Sequence, residues 1–402
     1  MIIREKYMQQ ICDFMDKPVI KVITGMRRCG KSALLELTRD ELNARGVPNE
    51  NIIYINFESL RYEHLKEYRS LYQEVSKRVE GVEGKVYILL DEIQEVSGWE
   101  QAINSFRIDF DCDIYITGSN AKLLSGELAT LLAGRYVEIR VYPLSFNEYL
   151  LFAETNEDER NLSNQEHFVN YLKFGGLPGI HQMKWDESRI VQYLTDIYNS
   201  VLLKDVISRN KIRDTALLES IVHYLMDNVG NTFSAKTISD FLKSQGRKLS
   251  TETVYNYIDA LEGAFLIYKA SRFDIKGKRI LETQEKYYLA DLGLRHAVIG
   301  YRDNDIAGVL ENVVYLELLR RGYSIHIGKQ DVAEVDFVAN YRDDRLYVQV
   351  CYVLTEQNTD REFGSLEAIS DNYEKVVLSM DSLLSINRGG IRQKNLIDFL
   401  LG

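Results

Sequence analysis

The sequence predicts an α/β protein in which a parallel-sheet domain is followed by further modules. Three observations carry this reading. Over residues 1–150, short runs rich in Val, Ile and Tyr alternate with helical periodicity, a glycine-framed loop joins the first run to the first helix, and from about Leu151 the pattern turns helical. At 402 residues the chain is long enough for two or three domains of about 150 residues each. A content of 45% hydrophobic and 27% charged residues, with only 4 Pro, excludes a disordered chain.

Val19-Ile20-Lys21-Val22-Ile23-Thr24 reads as a buried strand and leads into Gly25-Met26-Arg27-Arg28-Cys29-Gly30-Lys31-Ser32. This is GxxxxGKS in its strand-loop-helix setting, because Ala33, Leu34, Leu35, Leu37 and Leu42 then recur at helical spacing up to Gly46. Glycines let backbone N–H groups turn inward around phosphates, and the helix N-terminus adds a positive dipole end. The expected nucleotide contacts are Gly25, Arg28, Cys29, Gly30, Lys31, Ser32 and Ala33, with Lys31 on the β and γ phosphates and Ser32 on Mg²⁺.

A second strand covers Ile52 to Phe57. A third, Val86-Tyr87-Ile88-Leu89-Leu90, ends in Asp91-Glu92, as a central parallel strand with a functional C-terminal edge should. Asp91 is expected in the Mg²⁺ shell, and Glu92 is expected to orient and deprotonate the water that attacks ATP. The fourth strand, Ile114 to Thr117, leads into Gly118-Ser119-Asn120. Ser119 is the first candidate for sensing the γ-phosphate, with Thr117 and Asn120 as alternates and a capped turn as the structural alternative. Gly134-Arg135 introduces a fifth strand, Tyr136 to Val141.

With these motifs the chain resembles prokaryotic AAA-family ATPases of the subgroup with a C-terminal domain of unknown function, over nearly its whole length. The matching segments are Gly25 to Ser32 with its doubled arginines, Leu90-Asp91-Glu92-Ile93-Gln94, Thr117-Gly118-Ser119, Leu132-Ala133-Gly134-Arg135, Pro143-Leu144-Ser145-Phe146 and Gly175-Gly176-Leu177-Pro178. The resemblance implies that Arg135 acts as a finger on a neighbouring subunit's nucleotide, hence a homo-oligomer. A surface salt bridge is the alternative role for Arg135.

The C-terminal half divides, by sequence, into a helical lid and linker (151–213), a winged-helix-like module (214–285) and a last module (286–402), after an ATPase core at 1–150. Gly175 to Gly179 reads as a turn between lid helices. A helix at Thr237 to Lys243, a second helix capped by Ser250, and a hairpin bracketed by Phe265 to Tyr268 and Arg279 to Leu281 give the winged-helix pattern. Glu252, Asp259 and Glu262 on the second helix repel phosphate, whereas Lys243, Arg247, Lys248, Arg272, Lys276, Lys278 and Arg279 allow non-specific DNA contact, so DNA binding competes with a packing or partner-binding role. In the last module, Glu311, then Glu334-Val335-Asp336, then Gln349-Val350-Cys351 resembles the restriction-endonuclease-like fold. Gln349 stands where that fold has an acid and Cys351 where it has a lysine, which points to a degenerate nuclease scaffold, or a plain α/β accessory domain, without nuclease activity.

Forty-nine basic against 60 acidic residues give −11, which opposes indiscriminate polyanion binding. No run of about 18 apolar residues and no signal-like N-terminus is present, so the chain is expected in the cytoplasm with no membrane partner. Scattered Cys12, Cys29, Cys112 and Cys351 indicate neither disulfides nor zinc. The leading expectation is an ATP- and Mg²⁺-dependent ATPase, cycling between ATP and ADP, that couples nucleotide state to rearrangement of its C-terminal modules or of an unidentified protein partner. A nucleotide-switched nucleic-acid binder and a non-hydrolysing ATP-binding scaffold remain as alternatives.

Overall fold

The computed structural model describes residues 2–124, 132, 134–247, 249–302, 305–330, 333–381 and 386–402, without the side chains of 122, 124, 282 and 283. Two expected residues, Ala133 and Lys248, lie outside this set. The chain separates into two compact units, residues 1–141 with 263–265, and residues 142–262 with 266–402.

In the first unit β1 (Ile20–Thr24), β2 (Ile52–Asn56), β3 (Val86–Asp91), β4 (Cys112–Gly118) and β5 (Tyr136–Arg140) form a parallel sheet in the order β2-β3-β4-β1-β5. Parallel neighbours need crossovers, and the crossover segments put apolar stripes on both faces. Val22, Ile88 and Ile116 point to the face covered by α3 (Tyr68–Val79) and α4 (Trp99–Asp109), through Leu71, Val75, Ala102 and Phe106. The alternate residues Ile23, Leu89 and Tyr115 face α1 (Glu5–Phe14) and α2 (Lys31–Ala44), through Tyr7, Ile11, Leu34 and Leu35. Lys21 interrupts the apolar run of β1 yet is fully buried, because Asp113 on β4 pairs with its ammonium.

The second unit begins with helices whose ends are specified locally. Ser145, Ser163 and Ser234 form capping boxes that start α5 (Phe146–Ala153), α6 (Asn164–Phe174) and α9 (Ala235–Ser244). Between them lie α7 (Glu187–Ser200) and α8 (Thr215–Asp227), and α10 (Thr251–Gly263) follows with the Ser250 hydroxyl accepting the Thr253 N–H. The glycine-rich turn after α6 has a specific cause. Gly175 sits at φ 75°, and a Cβ there would lie 2.2 Å from Oδ1 of buried Asp291, whose other oxygen accepts the Gly176 N–H at 2.7 Å. Leu144 is anchored by the same turn: its N–H donates to Gly176 at 2.7 Å, while its carbonyl accepts from Tyr171 and Arg320. The Pro143 to Phe146 and Gly175 to Pro178 segments are therefore the two halves of one joint.

After these helices come β6 (Ile267–Asp274), β7 (Arg279–Leu289), α11 (Leu292–Ile299), α12 (Ile306–Arg320), β8 (Ser324–Gln330), β9 (Ala333–Tyr341), β10 (Asp344–Val350), α13 (Thr359–Glu367), β11 (Glu374–Ser379), β12 (Asn387–Arg388), β13 (Ile391–Asn395) and α14 (Leu396–Leu401). Their strands form a mixed sheet in the order β12-β13-β11-β10-β9-β8-β6-β7. This differs from the sequence reading in one respect. The hairpin read as a wing is part of this sheet, because β6 pairs with β8 in parallel from Arg272 to Asp274, and β7 runs through the 285/286 boundary. Short hairpin strands look alike in sequence whether they stand free or join a larger sheet, since register is a long-range property. Among the described residues no helix is long and apolar enough to cross a membrane.

Candidate functional site

Three neighbouring strands of the first sheet, β1, β4 and β3, end at the same edge, which brings the 25–32 loop, Thr117 to Ser119 and Asp91-Glu92 into one crevice. The loop is shaped by its two glycines. Gly25 has φ 147° and a Cβ there would meet the Val141 carbonyl at 2.2 Å, whereas Gly30 at φ 107° starts α2 in a left-handed turn. The N-terminus of α2 opens onto this loop, and the Lys31 N–H in its first turn donates to the Cys29 sulfur. Cys29 acts through its backbone: its side chain is fully buried, and its carbonyl accepts a hydrogen bond from Arg4 at 3.0 Å.

Lys31 is buried and bonds the Met26 carbonyl at 3.1 Å, with Glu92 3.6 Å from its ammonium. Asp91 is fully buried and receives hydrogen bonds from Ser32, Thr117 and Asn56. Burial pushes its carboxyl up, with those donors working in the opposite sense. Glu92 adopts a left-handed backbone (φ 56°, ψ 51°), uncommon for a residue with a Cβ, and its N–H donates to the Thr117 hydroxyl at 2.9 Å. Burial would raise its carboxyl as well, but the Lys31 charge and a hydrogen bond from Gln94 hold it below the usual range. The two acids are therefore in unequal surroundings although adjacent in sequence.

Gly25, Cys29, Gly30, Lys31, Ser32, Ala33, Asp91, Glu92 and Ser119 thus converge as the sequence pattern implies. Arg28 is exposed at φ 68°, and it is Arg27 that lies near Glu92, ion-paired to Glu58 at 2.7 Å. Arg27 and Arg4 escape sequence reasoning because either of two adjacent arginines fits the loop, and nothing local marks a residue 25 positions upstream of Cys29. Thr117 braces the acid pair, while the Ser119 hydroxyl bonds the Glu92 carboxylate and lies 3.5 Å from Gln94. Arg135 does not join the site. It is exposed at the start of β5, 3.4 Å from Asn104. Because β5 pairs in parallel with β1, Arg135 lies at the opposite sheet edge from Gly25, about 20 Å away along six residues.

A family model described as an AAA domain matches residues 17–150, and one described as a domain of unknown function (DUF8612) matches residues 165–305. An uncharacterized protein of Haemophilus influenzae is 44% identical over 401 residues, covering 100% of this chain and 99% of its own length. An uncharacterized protein of Methanocaldococcus jannaschii is 32% identical over 88% of this chain and 79% of its own. The chain belongs to one family with these relatives, and its residues 17–150 are an AAA-family domain. Its fold is similar to that of the Walker-type ATPase paby2304 of Pyrococcus abyssi, with a TM-score of 0.54 at 17% identity over 74% of this chain and 96% of that one.

The chain carries a second polar cluster, in its C-terminal sheet, and it includes a lysine that the motif order does not reveal. Lys286 on β7 lies 2.7 Å from Glu334, 3.0 Å from Glu311 and 3.7 Å from Asp336. Burial disfavours its ammonium, but Glu311, Asp336 and Glu334 outweigh that and hold it above the usual lysine range. Gln349 links the Asp336 N–H to Glu362, while Cys351 is buried, its thiol pushed up to about 12. Lys286 precedes Glu311 in sequence, so only the pairing of β7 into the sheet shows it. Among the described residues no group of three or more His, Cys, Asp or Glu is arranged to hold a metal ion, and in this cluster the cation among the acids is an ammonium.

Proposed function

We propose that the first unit binds ATP with Mg²⁺ and hydrolyses it, and that nucleotide state is coupled to rearrangement of the C-terminal unit or of a bound partner. The observation that carries this is the convergence of the α2 N-terminus, a buried Lys31 and two acids in different surroundings on one sheet edge. The donor set suits a hard cation: the Ser32 hydroxyl and the Asp91 carboxylate already bond each other and offer oxygen alone. Mg²⁺, when bound there, supplies charge neutralisation on the phosphate oxygens. Lys31 binds the phosphates as a fixed cation, the first turn of α2 orients them, and Glu92, held ionised, accepts the proton of the attacking water. Thr117 keeps the acids apart by bonding the carboxylate of one and the N–H of the other.

Arg135 acts, in this reading, on the nucleotide of a neighbouring copy, because its own nucleotide edge is beyond its reach; the active form is then an oligomer. The C-terminal cluster does not cleave nucleic acid, since the Lys286 ammonium stands among the acids that a catalytic cation would need. Phosphate release with Mg²⁺ and ATP tests the central claim. ATP retention with no release in the parent protein would leave a binding scaffold instead.

A further inference from the structure

Gln94 has no place in the chemistry described so far, yet it is the residue most closely tied to Glu92. It lies in the short 3-10 turn Ile93–Glu95, directly after the left-handed backbone of Glu92. Its Nε2 donates to the Glu92 Oε2 and stands 3.5 Å from the Ser119 hydroxyl. Its Oε1 is buried and has no hydrogen-bond partner among the described residues. The amide cannot turn over to relieve this, because Oε1 would then face a carboxylate oxygen. A Cβ at Gly118 would lie 2.7 Å from that Oε1, so glycine at the end of β4 is what admits the side chain. A buried amide oxygen left unpaired opposes folding, and a side chain that tolerates this is held for the contact its other end makes.

Lys31 places its ammonium 3.6 Å from Glu92, and it is the residue that phosphates attract. Nucleotide therefore draws away the Lys31 ammonium, while the hydrogen bonds of Gln94 and Ser119 to the Glu92 carboxylate are left in place. We propose that Gln94 is a positioning residue that holds the Glu92 carboxylate toward Ser119 and the phosphate edge after Lys31 has engaged nucleotide. The proposal rests on the reading of Glu92 as the group that accepts the water proton.

Gln94→Met tests it, since it keeps the length of the side chain and removes the donor together with the unpaired oxygen. ATP turnover, ATP and ADP affinity and the thermal midpoint are measured in the parent, in Gln94→Met, in Glu92→Gln and in the double variant, with single-turnover rates for the slow ones. Turnover by Gln94→Met is expected to fall about ten- to hundredfold, with affinity within about twofold of the parent and a midpoint unchanged or raised. In the Glu92→Gln background the same change should cost less than about twofold, because the group it acts through is already altered. Parental turnover by Gln94→Met, or equal losses in both backgrounds, would overturn the proposal and leave the ATPase reading standing. A parent that binds ATP without hydrolysing it would overturn both. Should Gln94→Met fail to fold, Gln94→Ala removes the same donor with no demand for space and is read by the same criteria.

Discussion

Replacing Lys286 by Met removes one positive charge from a site where three carboxylates lie within 3.7 Å of it and the side chain is almost wholly buried. Methionine keeps most of the volume, so the change is electrostatic rather than a cavity effect. Glu334 is about a third exposed and is partly screened, whereas Glu311 and Asp336 are nearly buried and lose their main counter-charge. Breaking a buried ion pair by removing one partner costs about 3–5 kcal/mol, which for a unit of this size is a fall in Tm of about 6–20 °C. The sign of the pH dependence follows. Burial and mutual repulsion already raise the Glu311 and Asp336 pKa values, and losing Lys286 raises them further. The folded variant then holds more protons than the unfolded chain at neutral pH, so its stability falls as pH rises. The deficit relative to the parent should be larger at about pH 8 than at about pH 5.5, and Glu311→Gln added to Lys286→Met should recover part of it. Thermal unfolding followed by circular dichroism at both pH values measures this. A variant as stable as the parent at the higher pH, or a deficit that pH does not change, would refute the reasoning.

Glu92→Gln should retain ATP while hydrolysing it at least about a hundredfold more slowly, whereas Lys31→Ala should lose nucleotide binding itself; filter retention of labelled ATP separates the two. Arg135→Ala and Glu92→Gln subunits, each inactive alone, should regain partial activity when mixed, and absence of recovery in demonstrated mixed assemblies would remove the finger. Gly175→Ala should destabilise the second unit by at least about 2 kcal/mol, because a Cβ would collide with the buried Asp291 carboxylate, and a denaturation midpoint equal to the parent's would contradict that. DNA and RNA incubated with the protein and Mg²⁺ or Mn²⁺ should stay intact, and cleavage abolished by Asp336→Ala would reverse the reading of the C-terminal cluster.

The nucleotide site was legible because its determinants are local. A glycine that must turn, a lysine beside it and acids at a strand end fall within short windows, and each strand from Ile20 to Arg140 is a compact apolar run. Ser250 capping its helix was legible for the same reason. What was hidden depends on pairing between distant segments. Lys286 reaches Glu311 and Asp336 only through the register of β7 and α12, and Arg4 meets Cys29 only once α1 packs on the sheet. The purpose of Gly175 needed Asp291, 116 residues away, and the choice between Arg27 and Arg28 turned on a backbone angle that composition does not encode.

The continuity of β6 and β7 with the C-terminal sheet bears on how the molecule can be dissected. A fragment beginning at residue 286 would keep only the last four residues of β7 and lack β6 altogether, stripping β8 of its partner from Ile327 to Lys329 and leaving N–H and C=O groups there that would seek a strand from another molecule. Such a piece is a candidate for self-association rather than an independent folding unit. A cut that keeps this sheet whole must fall before Ile267, and even that cut divides the second unit, parting Asp291 from the Gly175 turn.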